Sequence, residues 1–103
     1  MASGRLGASD LSATTNTTVY TVPSGKTASL SISVCNRGVT PVSVRIALSA
    51  TGTPGASEWI EYDTAIPANG VLERSGIVLD TGKLVVGYAS AANVSVVVYG
   101  VEE

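Results

Sequence analysis

One stretch of twenty residues constrains this chain more than any other: residues 17–36, TTVYTVPSGKTASLSISVCN. In its second half the side chains alternate. Ala28, Leu30, Ile32 and Val34 fall on one side, and Ser29, Ser31, Ser33 and Cys35 on the other. A period of two is that of a β-strand with one buried face, and no helix can satisfy it. Residues 17–22 read as a strand before it. Pro23-Ser24-Gly25 supplies the turn between them, because proline pre-sets one backbone angle and glycine accepts a positive φ. The stretch as a whole reads as a hairpin.

The remainder repeats the theme. Further strands are expected over residues 42–49, 58–64, 71–79, 83–89 and 93–101. Asn36-Arg37-Gly38, the ATGTPGAS run at 50–57, Ile66-Pro67-Ala68-Asn69-Gly70 and Asp80-Thr81-Gly82 punctuate them as turns. In the third strand Val42, Val44, Ile46 and Leu48 form the apolar face. Gly76 marks a bulge or a close backbone approach in the fifth. The last strand is apolar on both faces, with Val94, Val96 and Val98 against Val97, Tyr99 and Val101. Such a strand is either central in a sandwich or packed on another subunit. About seven strands joined by connections too short for βαβ crossovers predict an all-β chain. The expected architecture is a single antiparallel β-sandwich. Jelly-roll and immunoglobulin-like strand orders give the same alternating pattern, so both remain open. Residues 1–16 offer only Leu6 and Leu11 as large apolar side chains. They read as an extended N-terminal arm, either disordered or laid on a neighbouring subunit with those two leucines as the anchors. Residues 17–103 form the sandwich domain.

Composition excludes several function classes. The chain has no histidine and one cysteine, Cys35. This removes Ser–His and Cys–His nucleophile pairs, an intramolecular disulfide, and metal sites built on histidine or paired cysteines. Glu58, Glu61 and Asp63 lie close to Trp59 and Tyr62, the residue types of a glycosidase site. Within one short strand they read instead as exposed carboxylates. No catalytic, cofactor-binding or metal-binding residue is assigned. The net charge is −2, and the six basic residues are scattered, whereas a nucleic-acid partner demands a concentrated basic face. No apolar run approaches the roughly 20 residues of a membrane helix. The first eleven residues hold no signal-type apolar core, so synthesis in a cytoplasm is expected. Charged residues make up 14% of the chain, against about 25% in typical domains. Serine and threonine, 13 and 11 in number, fill much of the gap. Either much of the surface faces other protein, or the threonines reflect strand preference.

Several segments together resemble a known family. They are Leu11-Ser12-Ala13, the run Asn16-Thr17-Thr18-Val19-Tyr20-Thr21-Val22-Pro23 and Ser24-Gly25-Lys26, the strand end Val34-Cys35-Asn36-Arg37, Trp59-Ile60-Glu61-Tyr62-Asp63, Ile66-Pro67-Ala68-Asn69-Gly70-Val71-Leu72-Glu73-Arg74, and the closing Asn93-Val94-Ser95-Val96 with Tyr99-Gly100. The chain resembles the small β-sandwich virion structural proteins of tailed bacteriophages over most of residues 11–103. The resemblance implies a non-enzymatic capsid decoration (cement) protein, or else a tail or tail-fibre component in host attachment. It implies the major capsid protein or another virion protein as partner. It also implies a homo-oligomer, a trimer, located in the virion, with no cofactor, nucleic acid or membrane involved. The interaction residues expected on this reading are Leu6, Leu11, Ser29, Ser31, Ser33, Val97 and Tyr99.

Overall fold

The computed structural model describes residues 2–103. These form eight strands: β1 (Ala2–Leu11), β2 (Thr17–Thr21), β3 (Ala28–Asn36), β4 (Val42–Ser49), β5 (Trp59–Ile66), β6 (Val71–Leu79), β7 (Leu84–Ala89) and β8 (Val94–Glu102). One four-stranded sheet has the order β1-β8-β3-β6 and the other β2-β7-β4-β5. All strand pairs are antiparallel. The expected antiparallel β-sandwich is thus present, with eight strands rather than about seven.

The pairing resolves the strand order. β1 pairs with β8, β2 with β7, β3 with β6 and β4 with β5. The first half of the chain runs beside the second half in reverse, like one long ribbon folded at the β4–β5 loop and then rolled. The further pairings β3·β8 and β4·β7 close each sheet. This is a jelly roll. Only the β4–β5 connection stays within a sheet; the other six cross the sandwich. Residues 17–36 are therefore not a hairpin. β2 and β3 belong to opposite sheets, and the 23–25 turn, closed by the Lys26 amide donating to the Pro23 carbonyl at 3.1 Å, carries the chain across. A turn and two half-buried strands look alike in sequence whether they lie side by side or face to face.

The second correction concerns the arm. Residues 2–11 are strand β1, paired with β8 along its whole length with one slip at Leu6. Leu11 is buried (3% exposed), and its side chain lies against Gly87 of β7 in the opposite sheet. Leu6 sits at a bulge in β1 and is half-buried against the same core. Neither leucine is free to anchor a neighbour. Weak apolar content misled because a sheet-edge strand whose outer face is polar needs few large side chains. Met1, the first residue of the expected arm, lies outside the described residues.

The core is made by the inward residues of both sheets, as alternation dictates. Ala28, Leu30, Ile32 and Val34 on β3 meet Val42, Val44 and Ile46 on β4, with Val94, Val96 and Val98 from β8 and Val85 from β7. β8 is central in its sheet; Val94, Val96 and Val98 point into the core, while Val97 and Val101 point outward and stay half-buried. Register slips of one residue occur in β1 at Leu6, in β2 at Val19, in β6 at Ser75-Gly76 and twice in β5. These are the four edge strands. Pairings among the inner strands β8, β3, β7 and β4 show no slip. Gly76 has φ 71°, as the bulge predicted there requires. Bulged edges bend away from a flat template and so resist edge-to-edge pairing with other chains.

Two glycines permit the closest backbone approaches. A Cβ on Gly100 would come within 2.2 Å of the Ser29 carbonyl oxygen, where β8 meets β3. One on Gly7 would come within 2.4 Å of the Val19 carbonyl oxygen, where the bulges of β1 and β2 meet across the sandwich.

Asn36 locks one end of the sandwich. It is fully buried. Its side-chain amide donates to the carbonyls of Thr40 (2.9 Å), Ile66 (3.2 Å) and Pro67 (3.2 Å), and its carbonyl accepts from the Gly38 amide (2.9 Å). One side chain therefore ties the β3–β4 turn to the β5–β6 turn. Asn36→Ala strands these groups in a dry site and is expected to cost about 2–4 kcal/mol in urea unfolding. Leu11→Ala opens a cavity between β1 and β7 and is expected to cost about 2–5 kcal/mol. A loss under 0.5 kcal/mol for Leu11→Ala would mean that β1 is the dispensable arm after all.

Candidate functional site

Among the described residues no group of three or more His, Cys, Asp or Glu could hold a metal ion. Nor is any helix among these residues long and apolar enough to cross a membrane. The acidic residues of β5 do not converge. Glu61 accepts hydrogen bonds from Thr64 Oγ1 (2.7 Å) and from Arg74 (2.8 Å), joining β5 to β6 across the open side of the sandwich. Asp63 accepts from Arg45 Nε at 2.6 Å. Glu58 accepts from the amides of Gly55 (2.7 Å) and Ala50 (3.0 Å) and from Ser49 Oγ (3.0 Å). Each carboxylate has a different structural task.

The outer face of the β1-β8-β3-β6 sheet is of another kind. Its two central strands present Ser95, Val97, Tyr99 and Val101 from β8 beside Cys35, Ser33, Ser31 and Ser29 from β3, in directly opposed pairs. None of these eight carries a formal charge at neutral pH. The charged residues of this face lie on its edges: Arg5 and Asp10 opposite Tyr99 and Ser95 on β1, and Glu73 opposite Ser33 on β6. Asp10 is further tied to Arg37 in an ion pair. Val71, Val78 and Tyr99 are exposed on this side, at 55%, 66% and 39%. At one end Thr27, Ser29, Val101 and Glu103 enclose a shallow concavity of about 330 Å³. Of the seven interaction residues expected from sequence, Ser29, Ser31, Ser33, Val97 and Tyr99 lie together here; Leu6 and Leu11 do not. Val71 and Val78 were not singled out from sequence. Their signal was the β6 alternation, which could be read only once β6 was known to flank β3.

The outer face of the other sheet is aromatic and covered in part. Tyr88 of β7 and Arg45 of β4 are directly opposed. On β5 the slip sets Tyr62 and Asp63 together opposite Arg45. The guanidinium lies 4.1 Å from the Tyr62 ring centre and 4.6 Å from that of Tyr88. Asp63 adopts φ 54°, the cost of this bulge. Trp59 meets Tyr62 edge-on, 5.6 Å between centroids. One row along, Ala47 and Val86 point outward yet are fully buried. The 50–57 loop, exposed at all its residues but the half-buried Pro54, leans back over this face: a Cβ on Gly52 would sit 3.8 Å from Thr18 Oγ1 on β2.

Glu58 is the pin of that loop, and the amide donors of Gly55 and Ala50, with Ser49, hold its pKa below the ordinary glutamate value. A folded-state pKa lowered in this way gives stability that is complete above the unfolded value, about pH 4.3, and is lost as pH falls through the folded value. Trp59 is the single tryptophan. Its emission is expected to change below about pH 4 as Glu58 takes up a proton and releases the loop. Glu58→Gln should show the loosened-loop emission already at pH 7. Superimposable titrations of the two proteins would remove Glu58 from this role.

Comparison of the sequence with protein-family models and with curated proteins finds no match.

Proposed function

We propose that this chain is a non-enzymatic structural protein of a phage virion, a capsid decoration protein that binds the assembled shell. The observation that carries the reading is the uncharged central band of the β1-β8-β3-β6 sheet. A free surface normally intersperses charges for solubility, and a band of serine, valine and tyrosine lets another backbone approach closely without burying an unpaired charge. The bulges on all four edge strands point the same way. They disfavour strand-to-strand growth and leave the face of the sheet as the route to association. Jelly rolls are common among viral capsid domains, which adds support by analogy of fold alone.

The face measures four strands by nine residues, or about 600 Å² in projection at ~4.8 Å and ~3.3 Å spacings. A standard interface takes about 800 Å² from each partner. Association here must use nearly the whole face, and its strength comes from many copies on a shell. The partners are the major capsid protein and sister copies of this chain, three around each axis. Binding the assembled shell and not its dissociated subunits stabilises the shell by mass action.

Ser31→Arg places a charge at the centre of the band without touching the core. It is expected to leave the unfolding midpoint within about 0.5 kcal/mol of wild type. It should lower the light-scattering mass from a trimer to a monomer and abolish binding to particles stripped of the protein. Undiminished particle binding by Ser31→Arg would remove this face from the interface. Localisation of the protein to tails, with particles lacking it still fully heat-resistant, would overturn the decoration reading itself.

A further inference from the structure

We propose that the concavity bounded by Ala56, Trp59 and Tyr62, on the sheet opposite the docking face, is a subsite for a neutral saccharide. It is an open hollow of about 400 Å³, within the range of small-ligand sites.

Its walls are built and held. The sole tryptophan of the chain lies at this surface, half-buried, and not in the core. Tyr62 is 58% exposed, turned out by a bulge that sets Asp63 at a positive φ. Bulges of this kind re-aim side chains near functional sites. The two rings stand 73° apart, so they form a corner and not a flat stack. One face of the Tyr62 ring is held by the Arg45 guanidinium, itself held by Asp63, which leaves the rest of the ring to the hollow. Ala56 belongs to the 50–57 loop that Glu58 pins through Ala50 and Gly55. An exposed aromatic corner with every support in place is preorganised and loses little freedom on binding.

The electrostatics choose the ligand class. The charges beside the corner are already paired: Arg45 on Asp63, and Glu58 on loop amides. A phosphate or a cationic ligand would find no counter-charge to replace its water. The ligand must be neutral, with an apolar face for the rings and hydroxyls for the rim, which describes a pyranose. A neutral peptide adding to the β5 edge is disfavoured, because that edge is twice bulged and cannot offer a continuous ladder.

Trp59 makes the test direct. Its fluorescence is followed while cellobiose, maltose, lactose, N-acetylchitobiose or a proline-rich decapeptide is added to the full chain. The expected result is a saturable blue shift with at least one disaccharide, with a midpoint in the millimolar range. Tyr62→Ala, at an exposed position, should retain the wild-type circular dichroism and weaken that response at least tenfold. Ser31→Arg on the far sheet should leave it unchanged, so the outcome is separable from that of the docking face. Absence of a saturable response to all four disaccharides overturns the proposal. So does an undiminished response in Tyr62→Ala, or saturation by the decapeptide alone.

Discussion

The rest of the structure depends on the placement of β3. It lies between β8 and β6, its inward side chains Ala28, Leu30, Ile32 and Val34 fill the core, and its last residue is the buried Asn36. Four apolar side chains at period two bury their face only if a second sheet covers them. That sheet is reached by turns that leave both ends of β3 and cross the sandwich. The antiparallel ribbon then follows: once β3 pairs with β6 and β8, the strands on either side in sequence must pair in the opposite layer. Nearly all of these pairings are distant in sequence, β1 with β8 most of all, so the chain must close long loops before its core exists.

Polar groups fix the geometry where apolar burial is indifferent. Asn36 joins two turns at one end. On the open side the Glu61–Arg74 pair bridges β5 and β6, and near the other edge the Tyr20 hydroxyl of β2 donates to Glu102 of β8. Burial, with Glu102 beside it, raises the Tyr20 pKa far above the ordinary tyrosine range, so this bridge stays neutral on the tyrosine side. No buried side-chain polar atom among the described residues lacks a partner. Two sheets that could slide on a greasy interface are thus held in one register by a few cross-sheet hydrogen bonds.

The two outer faces divide the surface by chemistry. One presents serine, valine and tyrosine and is uncharged along its centre. The other is aromatic, bulged and partly roofed by the 50–57 loop. The difference traces to where the chain spends its charges. On the aromatic face they pair with one another and with loop amides; on the other face they are kept to the edge strands. The bulged edges separate the two faces and disfavour strand-to-strand pairing along the sheets.

The sequence by itself determined the spans of β2 to β8, most of their inward residues, the Gly76 bulge and the absence of histidine, because period two, turn residues and composition are local properties. It also placed Ser29, Ser31 and Ser33 on one face and Val97 and Tyr99 on one face. That these are the same face was decided only by the tertiary structure, through the β3·β8 register. So was the sorting of β2 and β3 into opposite sheets, since a turn reports a reversal and not its plane. Leu6 and Leu11 went astray for a related reason. An edge strand closed by a partner more than eighty residues away carries no local mark of that partner, and only the folded chain brings Val94 beside Leu11.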